Sequence, residues 1–80
     1  MPKPTLTPHE KVARSQWVDT KVRLSSLTWL IVDVKSTQAL ALVTPQLTDR
    51  QRARIDARVL LLEYQRDLLK VELEYLRGQF

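Results

Sequence analysis

From Ile55 to Phe80 the chain repeats one pattern without a break: Ile55, Val59, Leu62, Arg66, Leu69, Leu73, Leu76 and Phe80 step by four and three. Such steps keep side chains on one face of an α-helix, which advances about 100° per residue. A second set, Leu61, Tyr64, Leu68, Val71 and Tyr75, keeps the same spacing and falls on nearly the opposite side. A helix that is apolar on two sides must be covered on two sides. One helix of the same chain can cover one of them. The other calls for a second copy or a different protein.

Two helix starts are written into the chain. Thr7-Pro8-His9-Glu10 combines a capping threonine, a proline suited to the first helical position and a carboxylate three residues after the cap. Thr48-Asp49-Arg50-Gln51 repeats the cap with glutamine in the third place. Pro45, between them, forbids a continuous helix and pushes Thr44 towards extended backbone. Residues 1–6 read as a flexible N-terminal arm. Residues 7–80 read as a single helical domain, with a first arm over 7–43, a turn at 44–47 and a second helix over 48–78.

The first arm carries two competing patterns. Ala13, Trp17, Thr20, Leu24, Leu27, Ile31 and Val34 keep the three-four spacing of a helix that would pack on the second arm. Leu27 to Val34 is also rich in β-branched and aromatic residues, as a strand would be. Turn chemistry favours the helix, because the sole glycine is Gly78 and asparagine is absent, whereas tight hairpin turns draw on both. The expected fold is all-α: a long antiparallel helical hairpin that dimerises into a helical bundle, with a break at Ser25-Ser26 or Ser36-Thr37 as a variant. The alternative is a short β-hairpin followed by a long C-terminal helix.

Size and composition narrow the function. A chain of 80 residues buries only roughly 60–65% of its unfolded surface, so self-association is the remaining way to enlarge the core. Without cysteine and with a single histidine, His9, disulfides are excluded and no metal or cofactor is expected. The longest charge-free apolar run, Leu24 to Val32, is nine residues, well short of the roughly 20 of a membrane span. With no secretory signal at the N-terminus either, a cytoplasmic location is the default expectation. Catalysis finds no support: no nucleophile sits beside an oriented base, and one glycine cannot cradle a phosphate. Carboxylates one turn apart, such as Glu63 and Asp67, decorate a solvated face more often than they share a proton.

Two features stand out as candidate sites. Arg50, Arg52, Arg54 and Arg58 crowd the start of the second helix, where the helix dipole prefers acids. Arg50, Arg54 and Arg58 form a stripe able to pair with an acidic protein surface or grip phosphates. The plain reading is a solvated face partly neutralised by Asp49 and Asp56. The stripe Leu61, Tyr64, Leu68, Val71 and Tyr75 reads as a dimer seam or docking face, since tyrosine suits surfaces with one buried edge and one wet edge; its plain reading is the core of a three-helix arrangement. Trp17 and Trp29 read as core anchors.

The expected function is a small non-enzymatic regulator, inhibitor or adaptor. It would present Arg50, Arg54, Arg58, Leu61, Tyr64, Leu68, Val71 and Tyr75 to a larger protein partner, and would form a homo-oligomer. Alternatives are a structural subunit or assembly chaperone, and a nucleic-acid-binding accessory protein using Arg50, Arg52, Arg54 and Arg58. A phage or plasmid origin is expected by association alone, because short chains of this type are common there.

Overall fold

A computed structural model describes residues 5–80, so the reading of an N-terminal arm lies, for residues 1–4, outside the described residues. Helix α1 spans Pro8–Val43 and α2 spans Asp49–Arg77. They fold back on each other into a rod of 67 × 16 × 13 Å. This is the expected antiparallel helical hairpin. The strand alternative fails: residues 27–34 lie inside α1, and no strand forms among the described residues. No helix among them is long and apolar enough to cross a membrane.

Both starts carry complete capping boxes. The Glu10 N–H donates to Thr7 Oγ1 at 3.2 Å and the Thr7 N–H donates back to Glu10 Oε1 at 3.1 Å. At the second start the Gln51 N–H donates to Thr48 Oγ1 at 3.2 Å and the Thr48 N–H donates to Gln51 Oε1 at 2.9 Å. Helix α1 runs unbroken through its serines and threonines. The hydroxyls of Thr28, Ser36 and Thr37 donate to the carbonyls of Leu24, Val32 and Asp33, four residues back. Bonded that way they satisfy themselves within the helix and offer the backbone no alternative path.

One seam joins the helices. In α1 the positions turned inward repeat every seven residues, as Glu10, Trp17, Leu24, Ile31 and Gln38 and as Ala13, Thr20, Leu27, Val34 and Ala41, all buried or half-buried. The inward set of α2 repeats alike, as Arg52, Val59, Arg66 and Leu73, continued past the helix end by Phe80, and as Ile55, Leu62, Leu69 and Leu76. A strict seven-residue repeat on both partners is the packing pattern of a left-handed coiled coil.

Cross-helix contacts fix one register. Trp17 and Phe80 meet edge to face at 5.9 Å between ring centres. The Lys35 ammonium lies 3.1 Å from Glu63, and Gln38 Nε2 donates to Asp56 at 2.7 Å. That register sets Ala41 level with Ile55, Val34 with Leu62, Leu27 with Leu69 and Thr20 with Leu76. The core is thin. Among the described residues six apolar ones, Ala13, Ile31, Ala41, Val59, Leu62 and Leu76, are buried, and no large side chain is fully enclosed.

Adjacent leucines give a direct test. Leu62→Ala removes a seam side chain and is expected to cost about 2 kcal/mol or more. Leu61→Ala, on the outer face, is expected to stay within about 0.5 kcal/mol in the free protein. Thermal melts at equal concentration check the pair.

The capping boxes differ in one respect that pH can read. The Thr7 N–H bond to Glu10, then the Thr7 hydroxyl and more weakly the His9 charge, hold the Glu10 carboxyl below its ordinary 4.5. A lowered folded value means stabilisation that is present above the ordinary range and lost as pH falls through the lowered one. Gln51 does not titrate. Acidification from pH 6 to about 3 is therefore expected to fray the first turn of α1 before that of α2, and Glu10→Gln to abolish the difference, by amide NMR at Thr7 and Thr48.

Candidate functional site

The outer face of α2 lies roughly 150° round the helix from the seam, at 100° per residue. It holds Leu61, Tyr64, Leu68, Val71 and Tyr75, which are 55%, 62%, 50%, 65% and 68% exposed. They are therefore not the core of a three-helix arrangement within this chain. Their spacing continues towards the turn through Ala57 to Arg54 and Arg50. Arg50, Arg54 and the apolar stripe are thus one line of side chains, about 38 Å long at 1.5 Å per residue, basic at the turn end and aromatic-aliphatic beyond it, while Arg58 stands about 100° off that line, next to Ala57.

The four arginines separate by geometry. Arg50, Arg54 and Arg58 are exposed and form no ion pair within the described residues. Asp56, which stood as a neutralising partner, accepts instead from Gln38. Arg52 points into the seam, where its guanidinium donates to the Thr44 carbonyl at 3.1 Å. Thr44 caps the end of α1, and the last turn of α1 has no basic residue of its own. Carbonyls at a helix C-terminus are unpaired and carry partial negative charge. Arg52 therefore supplies from α2 the cation that α1 lacks, which is a structural reason for one arginine in the cluster.

Arg66, the charged member of the seam set, turns its head to the edge and meets Asp67 on its own helix at 3.2 Å. Glu63 is engaged with Lys35 and Asp67 with Arg66, so this carboxylate pair is divided between two separate ion pairs. His9 is exposed at the first turn of α1, with Nε2 3.3 Å from Gln79 Oε1. No group of three His, Asp or Glu side chains converges among the described residues. A concavity of about 430 Å³, lined by Leu6, Lys11, Arg14, Ser15, Val18 and Asp19, lies at the far end of the rod from the arginines.

The tryptophans do not share a fate. Trp17 is half-buried against Phe80, as a core anchor is. Trp29 is 69% exposed, which corrects the reading of it as an anchor of the hairpin core. It belongs to an outer apolar face of α1 that was overlooked in the sequence. The signal was present, since Val18, Val22, Trp29, Val32 and Val43 fit three-four spacing once Ser25, Ser36 and Ala39 are allowed to complete it. Small residues in those places, two of them serines, disguise the stripe.

Compared with known proteins, the chain matches no protein-family model, no curated protein and no solved structure.

The division among the arginines predicts separable effects. Arg52→Ala should lower stability by about 1 kcal/mol, the scale of a charged hydrogen bond and a helix-end charge. Arg54→Ala should leave the melting temperature of the free protein within experimental scatter.

Proposed function

We propose that this chain is a non-enzymatic protein-binding module, a small regulator, inhibitor or adaptor, that docks on a larger protein through the outer face of α2. One observation carries the reading: five large apolar side chains, Leu61 to Tyr75, stay half or more exposed in a straight stripe although both helices have already satisfied their seam. Contiguous apolar surface of this kind marks interaction sites. An apolar stripe at steps of three and four is how a helix offers itself to a groove or to a partner helix.

The charges add direction. Arg50 and Arg54 prolong the stripe at the turn end, Arg58 flanks it, and none of the three forms an ion pair among the described residues. Guanidinium groups free in this way favour a partner whose surface is acidic beside its apolar groove, because arginine pairs carboxylates through two parallel hydrogen bonds. Tyr64 and Tyr75 suit the same surface, as tyrosine combines a large buried area with a polar tip. The dominant contribution would come from the apolar centre, with the arginines setting orientation and association rate.

The test uses the tagged chain as bait in nuclease-treated extract. The expected result is a retained protein that is lost with Leu68→Asp and weakened by Arg54→Glu, both variants keeping their helical circular dichroism. Val32→Asp, on the outer face of α1, should retain it. Recovery that vanishes with nuclease and falls steeply with salt contradicts this reading and assigns the arginines to nucleic acid instead.

A further inference from the structure

The outer face of α1 is a second uncovered surface, of different character. From Ser15 to Val43, steps of three and four on this face meet only serine, alanine, valine and Trp29, all exposed and none charged. The stripe is about 42 Å long at 1.5 Å per residue. Val22, Trp29 and Val43 are 62%, 69% and 76% exposed. Charges stand only at its borders, Asp19 and Asp33 along one side and Lys21 and Lys35 along the other.

Its sequence complements itself. When two such helices run antiparallel about a point between Leu30 and Ile31, Trp29 falls opposite Val32 of the second copy and Val22 opposite Ala39. Val18 falls opposite Val43, and Ser25 opposite Ser36. Trp29 meets the smaller Val32 and Val22 the smaller Ala39, valine meets valine at the outermost layer, and hydroxyl meets hydroxyl. Sliding the second copy by one heptad either way puts Trp29 on Ser25 or on Ala39 and sets serines against valines. In the matched register Asp33 lies beside Ser26 and Lys35 beside Thr28, so no like charges face each other across the border.

Area supports the same occupant. The chain exposes 6564 Å², about 1,600 Å² more than the roughly 5,000 Å² of a compact monomer of 9.3 kDa. A standard interface covers about 800 Å² on each partner. The excess is enough for one seam on α1 and one docking face on α2.

We propose that the outer face of α1 is a homodimer seam, on which a second copy of this chain packs its own α1 antiparallel in the register centred between Leu30 and Ile31. Trp29 and Val32 form the two central apolar layers, and Ser25 and Ser36 specify the alignment. The dimer leaves both α2 faces outward on opposite sides. It goes beyond the docking assigned to α2 and does not depend on it.

The absence of cysteine lets single cysteines report the register. Ser25→Cys and Ser36→Cys chains, mixed and oxidised, are expected to give a covalent dimer, while neither variant cross-links with itself. Self-cross-linking of either one overturns the antiparallel register. In sedimentation the chain is expected to run at about 19 kDa, twice its 9.3 kDa, and Val32→Asp to weaken the dimer at least about 100-fold. A chain monomeric at every concentration overturns the seam. So does a dimer that resists Val32→Asp yet dissociates with Leu68→Asp. Should Val32→Asp lose its helical signal, the mixed-cysteine result decides alone.

Discussion

The structure depends on a single seam in which two seven-residue repeats interlock. Each helix contributes one narrow inward face, and the register is held by Trp17 on Phe80 at one end and Arg52 on Thr44 at the other. Because the repeat is strict, the inward face stays inward along the whole rod, and whatever lies half a turn away stays outward. The outer stripes are therefore consequences of the seam as much as of their own residues. The chain's apolar content is thereby divided between a buried inner face and exposed outer faces.

Thin packing follows from the same constraint. Six buried apolar residues with no large side chain fully enclosed are little for the described residues 5–80, and burial of this kind is the main favourable term in folding. Polar members of the seam find partners, although Arg52 Nε is buried without one. Gln38 reaches Asp56, Arg52 the end of α1, and Arg66 the rim at Asp67. Such residues fix register more than they add stability. The capping boxes at Thr7 and Thr48 define where each helix begins, and Pro45 ensures that α1 stops at Val43.

Much of this was legible in the sequence, for reasons that are physical. Local signals decided the elements: each cap needs only four consecutive residues, and the proline acts on its own backbone. The inward stripes were legible because Leu, Ile and Val fill most of their places, and Ala13 to Val34 outweighed the strand-like composition of residues 27–34. Less legible was anything set by the other helix. The role of Arg52 depends on the Thr44 carbonyl eight residues earlier, which no one-dimensional spacing reveals. Trp29 looked like core because tryptophan is large and apolar, and its actual face was disguised by the serines that share it. The five residues from Leu61 to Tyr75 were read correctly as a second face. The proposed partner of that face leaves no trace in spacing.

The two outer faces differ in chemistry. The face on α2 joins exposed arginines to an aromatic and aliphatic stripe, a combination that under the proposed docking would distinguish partners by charge. The face on α1 is uncharged, and in the proposed dimer it would distinguish little except shape and register. A chain using both would be a two-sided connector, each copy offering one docking stripe. The central claim is that the hairpin is an incomplete core made whole by covering its outer faces, and the concentration dependence of thermal unfolding tests it most directly. Followed by circular dichroism over a 100-fold range of concentration, the melting temperature should rise by roughly 5–10 °C. A melting temperature that does not move over that range would show a self-sufficient hairpin and contradict the account.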